Sequence, residues 1–321
     1  MKVFDWNGNS EKQLHEYATV QPIFVAGSRE ISPTRIAKIF KKYIYKGNIL
    51  WGVHKEKYIE GFEGQSQFKS LAKEHLVAVL KKLEMYKERL PHNWNVIEYR
   101  QQDLKEVLQT VPVSRILFIN GSWKIVFQRR PEYAVIKRKS IPYKLISPFH
   151  SEDEALAYAK NISQRIKEKV PVETNLMYST DSDLLNLAGI VSQYSFDNTW
   201  QTGAVIARHG KVLVYGWNRI LPFETYAMHN GSQREKKHYL AMNDLNNQDT
   251  VHAEIDCITQ ALNKGIDLEH STLYIPLLPC PTCAKAIART GIQRIVYSLD
   301  HYGGYAKSFL EQCGKRVDKL Q

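Results

Sequence analysis

Four residues in the last quarter of the chain are of types that together bind a metal ion and move protons. His252 and Glu254 are separated by one residue at the start of a stretch with helical apolar spacing. Cys280 and Cys283 form a Cys-x-x-Cys pair that opens a second predicted helix. A catalytic zinc takes three protein ligands and keeps its fourth position for water. We therefore predict that the histidine and the two cysteines bind one Zn²⁺.

The carboxylate of Glu254 has a chemical role beside such a metal without being a ligand. It follows His252 by two positions on the same predicted first turn, so it can reach a water on the metal. There it can take a proton from the water and return it to a substrate, which is general acid–base catalysis. His-x-Glu followed by Pro-Cys-x-x-Cys is the described signature of zinc deaminases. We predict that Glu254 is the catalytic residue.

Other interpretations of these residues stay open. A structural zinc site usually has a fourth protein ligand, and the nearest other cysteine, Cys257, is five residues after His252 and is predicted to lie in the core. A redox role for the Cys-x-x-Cys pair leaves His252 and Glu254 without a function. Glu254 is also typical of a carboxylate that the helix dipole favours at a helix start.

Residues 181–321 resemble the cytidine deaminase superfamily and, within it, the deoxycytidylate deaminases. The resemblance rests on "SFDNTWQTGAVIA", "GWN", "VHAEIDCI", "LYIPLLPCPTCAKAIARTGIQRIVYSLDHY" and "SFLEQCGKRV". It implies a zinc-dependent hydrolase acting on cyclic amidine C–N bonds, in which a metal-activated water attacks C4 of a cytosine nucleotide, with dCMP converted to dUMP. Glu254 is then the proton shuttle, Asn218 binds the sugar hydroxyl, and the backbone of Ala253 meets the pyrimidine edge.

The sequence departs from that family in two places. The apolar "IPLL", Ile275–Leu278, stands where a polar residue is usual shortly before Pro-Cys. The polar insertion before Thr250 lacks the glycine-rich pattern that we expect for phosphate recognition. Candidates to meet a substrate phosphate, with a solvated loop as the alternative for each, are Arg219, Arg234, Lys236 and Lys237.

The positive charge of the chain is confined to its first half. Residues 1–170 contain 30 Lys and Arg against 18 Asp and Glu, and residues 171–321 contain 14 against 15, which gives net charges of +12 and −1. Such asymmetry indicates a polyanionic partner or a solvated lysine-rich surface. One alternative function is therefore an RNA or single-stranded DNA base deaminase that binds nucleic acid through this half. Another is a nucleotide sensor with a deaminase effector domain.

The pattern of the chain predicts two domains. Residues 1–175 form a basic domain in which strands alternate with helices, which predicts a parallel, open α/β layer of Rossmann-like type. Residues 176–321 form the deaminase domain, for which the resemblance implies a mixed five-stranded sheet flanked by helices. In the first domain, the turn "VAGSRE" is either a phosphate-binding turn or an ordinary β–α turn, and Asn120-Gly121 is predicted to turn a hairpin.

The sequence also gives expectations about location and partners. The N-terminus lacks a secretory pattern, and no apolar run approaches the roughly 20 residues that span a bilayer. We expect no membrane association and a cytoplasmic enzyme of nucleotide metabolism. Its expected partner is a nucleotide substrate, and the resemblance implies a homo-oligomer.

Overall fold

A computed structural model describes residues 1–6, 20–27, 29–121, 130–169, 172, 177–197, 200–231, 249–301 and 303–320. These residues form two compact units, Met1–Ala155 with Met228–Gly231 and Leu156–Ala227 with Ser232–Gln321. The predicted domain boundary near residue 175 stays a prediction. No helix of the described residues has the length and apolar character that a bilayer crossing requires.

The first unit is built on a parallel sheet of six strands. Their order across the sheet is β1-β4-β3-β2-β5-β6, and every neighbouring pair is parallel. This confirms the parallel, open α/β layer. The strands are β1 (Val3–Asp5), β2 (Ile23–Gly27), β3 (Ile49–His54), β4 (Trp94–Tyr99), β5 (Arg115–Ile119) and β6 (Tyr143–Ile146).

Four helices of this unit cover the two faces of that sheet, as parallel crossovers require. They are α1 (Pro33–Tyr43), α2 (Lys73–Leu83), α3 (Leu104–Thr110) and α4 (Pro131–Arg138). The apolar residues of α1 and α2 belong to one core cluster, and those of α3 and α4 belong to another. The continuous apolar strands, such as "IFVAG", are buried between the two clusters.

Two local predictions for this unit have separate outcomes. The hairpin predicted at Asn120-Gly121 is wrong for β5, because β2 and β6 occupy both of its edges. Its second arm, residues 122–129, lies outside the described residues. In the turn after β2, Arg29 is buried, donates a hydrogen bond to the Gln67 carbonyl and lies 5.3 Å from the ring centroid of Phe68. A phosphate-binding role for that turn stays a prediction.

The second unit contains the mixed five-stranded sheet that the resemblance implies. Its order is β13-β12-β11-β7-β8, with β12 parallel to both of its neighbours and β7 antiparallel to both of its own. The strands are β7 (Gly203–Arg208), β8 (Lys211–Trp217), β11 (Ser271–Leu277), β12 (Ile292–Leu299) and β13 (Arg316–Lys319), and a separate two-stranded ribbon pairs β9 (Arg219–Ile220) with β10 (Thr250–Val251).

The helices of this unit lie on both faces of the mixed sheet. Apolar residues of α8, α9 and α10 share one core cluster, while α6 packs in another. This places the starts of α8 and α9 on the same side of the sheet. The helices are α6 (Asp181–Val191), α8 (Ala253–Asn263), α9 (Pro281–Ala288) and α10 (Tyr305–Gln312); two more, α5 (Glu152–Lys169) and α7 (Tyr226–Asn230), contain residues of both units.

The hairpin of β7 and β8 depends on a turn with positive backbone angles. His209 and Gly210 have φ of 52° and 78°, as a two-residue type I′ turn requires. A Cβ atom added to Gly210 would lie 2.4 Å from the carbonyl oxygen of Tyr178, whose amide donates to the Gly210 carbonyl at 2.9 Å. Both the angle and the space therefore restrict this position to glycine.

We predict that Gly210→Ala lowers the free energy of unfolding by about 2 kcal/mol or more, because it combines a left-handed residue with a backbone clash. Gly189→Ala is the matched control. Gly189 is in helix α6, where an added Cβ meets nothing within 4 Å, so this change should leave stability equal or raise it by up to about 1 kcal/mol. Urea unfolding of both variants measures the difference, and equal effects would contradict the turn analysis.

Candidate metal centre

His252 and Cys280 hold the same position at the starts of two helices. Each is the N-cap residue, with an extended backbone at φ −67° and ψ 153° for His252 and φ −66° and ψ 163° for Cys280. Pro281 follows at the first position of α9, where its missing N–H is not needed. The amide of Cys283 donates to the Cys280 sulfur at 3.5 Å. The cap geometry thus directs the two cysteine side chains of α9 to one point.

The side chains of His252, Cys280 and Cys283 converge. The Nδ1 atom of His252 is 3.6 Å from the Cys280 sulfur and 3.4 Å from the Cys283 sulfur, and the three ligand atoms lie within 4.8 Å of one another. Tetrahedral zinc with Zn–N near 2.0 Å and Zn–S near 2.3 Å places nitrogen and sulfur ligands about 3.5 Å apart. The observed spacing fits that ion, and among the residues that the structure describes these three form a group that could hold a metal ion.

The protonation of the two cysteines also suits a cation. The hydrogen bond from the Cys283 thiol, joined by one from His252, lowers the pKa of Cys280 to about 4. That same hydrogen bond, together with burial, raises the pKa of Cys283. The hydrogen bond to Cys280 raises the pKa of His252. The neighbours of Cys280 thus favour its thiolate form, and a set of one imidazole and two sulfurs is a donor set that zinc prefers.

Glu254 lies beside this cluster on the first turn of α8. Its side chain is 4% exposed, and it interacts with His252 and with the Cys283 side chain. Burial raises the pKa of its carboxyl, while the neighbouring imidazole opposes the shift. A carboxyl whose proton affinity is raised in this way can both accept and return a proton.

Asn218 connects the end of β8 to the start of α8. Its carboxamide oxygen accepts the backbone N–H of Ala253 at 2.9 Å, and its Nδ2 donates to the Trp200 carbonyl at 2.6 Å. The hydroxyl of Ser195 donates in turn to the Asn218 carbonyl at 2.8 Å. The two residues predicted from the resemblance to bind substrate, Asn218 and Ala253, are thus hydrogen-bonded to each other.

A network around Asp256 fixes α8 against the neighbouring strands. Its carboxylate accepts from the Trp217 amide at 3.2 Å, the Arg219 Nε at 2.8 Å and the Gln260 side chain at 2.9 Å. The Arg219 guanidinium lies 3.8 Å from the Trp217 ring centroid and 3.3 Å from a Glu224 oxygen. Arg219 is therefore engaged within the protein. The other candidates for a substrate phosphate, Arg234, Lys236 and Lys237, lie outside the described residues.

Asp197, Trp200 and His301 lie around the cluster, and of these Asp197 was not singled out in the sequence. Asp197 accepts the Thr250 hydroxyl at 2.8 Å and acts electrostatically on His252. Trp200 is 58% exposed, and its ring centroid lies 6.2 Å from that of His301. His301 interacts electrostatically with Cys280 and His252. A signal for Asp197 was present, because it lies within the "SFDNTW" part of a stretch on which the resemblance rests.

The apolar "IPLL" departure lies at the end of β11 and just after it. Ile275 and Leu278 are each 1% exposed and belong to the core cluster that also contains Ala253. These residues therefore belong to the core on which the start of α8 packs. A polar residue at either buried position would need a hydrogen-bond partner in that core.

Comparison with known proteins agrees with this centre. Residues 178–299 match the family described as the cytidine and deoxycytidylate deaminase zinc-binding region. The deoxycytidylate deaminase of Enterobacteria phage T4 is 31% identical over 146 residues, which are 36% of this chain and 76% of that protein. The deoxycytidylate deaminase of Enterobacteria phage T2 is 30% identical over 146 residues, with 36% and 78% covered.

Among solved structures, the dCMP deaminase of cyanophage S-TIM5 in apo form is 24% identical, with a TM-score of 0.32 and coverage of 44% of this chain and 96% of that one. The assignment rests on the phage T4 relative and on the matched family region, which contains all three residues that can hold zinc. The chain therefore belongs to the cytidine and deoxycytidylate deaminases, a family of hydrolases that act on C–N bonds.

Proposed function

We propose that this chain hydrolyses dCMP to dUMP and ammonia. The observation that carries the proposal is the convergence of His252, Cys280 and Cys283 at two helix starts, with the buried carboxyl of Glu254 beside them. The preference for dCMP is supported by the relatives that carry the name deoxycytidylate deaminase. In the balanced reaction, water adds at C4 of the cytosine base and the 4-amino group leaves as ammonia.

His252, Cys280 and Cys283 would hold the zinc. When bound, Zn²⁺ would act as a Lewis acid and would lower the pKa of water toward neutrality. The start of α9 contributes its own partial positive charge, which favours the thiolate of Cys280 at the N-cap position. This explains why the ligands are placed at N-cap positions and in the first turn.

Glu254 would move the protons of the reaction. Its carboxylate accepts a proton from the attacking water and donates it to N3 of the pyrimidine. A second transfer through the same carboxyl protonates the amino group, which then departs. Burial of Glu254 supports both transfers, because a raised proton affinity brings the acid and base forms closer to balance at neutral pH.

Asn218 and Ala253 would act on the substrate as a pair. The Asn218 oxygen uses one lone pair for the Ala253 amide and keeps a second one. That lone pair can accept a sugar hydroxyl without loss of the link to α8. Any contact of the pyrimidine with the Ala253 N–H would share a hydrogen that Asn218 already accepts, so we assign Asn218 the larger part in binding.

The exposed faces of Trp200 and His301 are consistent with a substrate that stacks at the entrance of the site. The His301 ring interacts electrostatically with Cys280 and His252, the Trp200 ring lies 6.2 Å from it, and the Trp200 carbonyl accepts a hydrogen bond from Asn218. Nucleic acid as the substrate, a homo-oligomeric state and a cytoplasmic location stay predictions.

We predict that Glu254→Gln retains about one zinc per chain and loses turnover of dCMP by at least about 10²- to 10⁴-fold, because the amide cannot shuttle protons. Glu311→Gln makes the same chemical change on the exposed side of α10 and should keep full activity. Metal analysis and ammonia release measure the two properties. Normal turnover by the Glu254 variant would exclude the assigned role, and simultaneous loss of zinc would assign the carboxyl to the metal instead.

We predict that dCMP gives the highest kcat/KM in a panel that also contains dCTP, cytidine, deoxycytidine and a cytosine-containing oligonucleotide. Each reaction is followed by ammonia release and by mass spectrometry of the uracil product. Highest turnover of the oligonucleotide would replace the proposed function by the nucleic-acid alternative. Highest turnover of a nucleoside would show that the enzyme does not recognise the phosphate of its substrate.

Glu224 gives the site region a pH dependence. Burial raises its pKa to about 7, against a smaller opposite effect of Arg219, and its Oε2 atom is buried without a hydrogen-bond partner among the described residues. Because the folded carboxyl binds a proton more tightly than the unfolded one, the folded state is favoured below pH 4.5. That advantage is lost as the pH rises through about 7.

We predict that the stability of Glu224→Gln relative to the unsubstituted protein increases by roughly 2–3 kcal/mol between pH 5 and pH 8, because glutamine does not carry the cost of an ionised buried carboxyl. Urea unfolding at the two pH values measures this difference of differences, in which a pH-independent loss of the Arg219 contact cancels. An unchanged difference would show that Glu224 ionises at its ordinary pKa.

A further inference from the structure

A groove with a positively charged lining lies at the β6 edge of the parallel sheet in the first unit. It has a volume of about 190 Å³ and is formed by one face of α1 and by the strand β6. Three cations of α1 and one of β6 line it: Arg35, Lys38, Lys42 and Lys144. Strand β6 is the last strand of this sheet, and its one strand neighbour in the described residues is β5.

The strand geometry shows why Lys144 faces α1. Side chains alternate along a strand, and Ile146, two residues later, packs in the same core cluster as Ile39 and Tyr43 of α1. Leu145 packs against the cluster on the opposite face. Lys144 therefore lies on the α1 side, opposite the lysines of the helix, and the apolar residues form the floor between them.

The lysine charges of the groove are not neutralised by ion pairs within the described residues, whereas Arg35 interacts electrostatically with Glu154. Neither α1 nor β6 contains an acidic residue, and Lys38, Lys42 and Lys144 form no ion pair in the described part of the chain. All three are exposed. Arg35 is anchored, because its Nε donates to the Ser147 carbonyl at 2.9 Å. Lys42 Nζ lies 6.0 Å from the ring centroid of Tyr43. The groove thus presents one anchored cation and three exposed ones to solvent.

The spacing of the helical cations favours a linear polyanion. Arg35, Lys38 and Lys42 are three and four residues apart, so they lie on one helix face. At 1.5 Å per residue they extend over about 10 Å of the helix axis, which exceeds the extent of a single phosphate. Just beyond the helix, Tyr45 is 63% exposed and offers an aromatic face next to the row of charges.

We propose that this groove binds the phosphodiester backbone of single-stranded nucleic acid. Successive phosphates lie along the row of α1 with Lys144 on their other side, and Tyr45 stacks on a base that leaves the groove. Cations that follow a backbone, combined with an exposed aromatic ring, are the features with which proteins bind single strands without sequence preference. The net charge of +12 in residues 1–170 would attract the strand from a distance.

Other anionic partners fit the groove less well. A planar lipid surface would meet only the outer lysines, since Arg35 is half-buried between the helix and the strand end. A free triphosphate is compact and would leave part of the row without an anion. Anionic vesicles and inorganic tripolyphosphate are therefore the probes that separate these partners from a single strand.

The test measures binding of the full chain to a fluorescein-labelled oligothymidylate by anisotropy, over a range of salt concentrations. We expect the double substitution Lys38→Glu with Lys42→Glu to weaken binding at least about tenfold at 50 mM salt. The plot of log K against log salt, which falls with rising salt, should become less steep by about 1.4, since each phosphate contact contributes about 0.7 for single strands. Deamination of dCMP, measured in parallel, should be unchanged.

The matched control is Lys81→Glu with Lys82→Glu at the end of α2, two exposed lysines in the same unit with the same change of net charge. It should weaken binding far less and leave the slope nearly as it is. Equal losses in both double variants would overturn the proposal in favour of a general charge effect. Preferential binding of phosphatidylserine vesicles, of tripolyphosphate or of duplex DNA would overturn it in favour of that partner. Because binding is measured without turnover, failure here leaves the proposed deaminase function untouched, and failure of deamination leaves this site untouched.

Discussion

The catalytic half of this protein depends on two helix starts that lie side by side on one face of the mixed sheet. The N-cap residue of a helix has an extended backbone, so its side chain is free of the helix and can point along the axis toward a shared ligand. His252 and Cys280 use this geometry in the same way. Because both residues are at N-cap positions, their side chains can approach each other without distortion of either helix. The short distances from the His252 nitrogen to the two sulfurs follow from this placement.

The helix that carries His252 and Glu254 is held by polar contacts of high specificity. Asn218 accepts the first amide of α8, and Asp256 binds one amide and two side chains one turn further along. Such buried networks are stabilising when every member is satisfied, and costly when one is removed. They restrict the rotation of α8 about its axis, and that rotation decides whether Glu254 faces the cluster of His252, Cys280 and Cys283 or the core. The position of Glu254 thus depends on Asp256 and its partners, which are not members of the His252, Cys280 and Cys283 cluster.

Much of this arrangement could be predicted from the sequence, and the reasons differ between elements. The type and spacing of His252, Cys280 and Cys283 predicted a cluster because few other arrangements use those residues together. The β7–β8 hairpin turns at a His-Gly pair between two apolar runs, which is a local signal that the sequence carries. The hairpin at Asn120-Gly121 was predicted by the same logic and is wrong, since local turn signals do not reveal that both edges of β5 are taken by parallel neighbours from distant parts of the chain. The Asp256 network and the groove of α1 and β6 also depend on tertiary contacts. Their residues look like ordinary helix charges in the sequence.

The short ribbon of β9 and β10 has a consequence for how this site can change. Arg219 pairs with Val251 and Ile220 with Thr250, and the Leu221 amide donates to the Asp249 carbonyl at 3.0 Å. The ribbon joins the two ends of the segment between residues 221 and 249. Its strands directly follow Asn218 and directly precede His252 in the chain. When strand pairing fixes the two ends of a segment, the length and composition of the segment can change without changing the geometry at its ends. Changes in the length of this segment therefore need not move Asn218 or His252, as long as the ribbon stays paired.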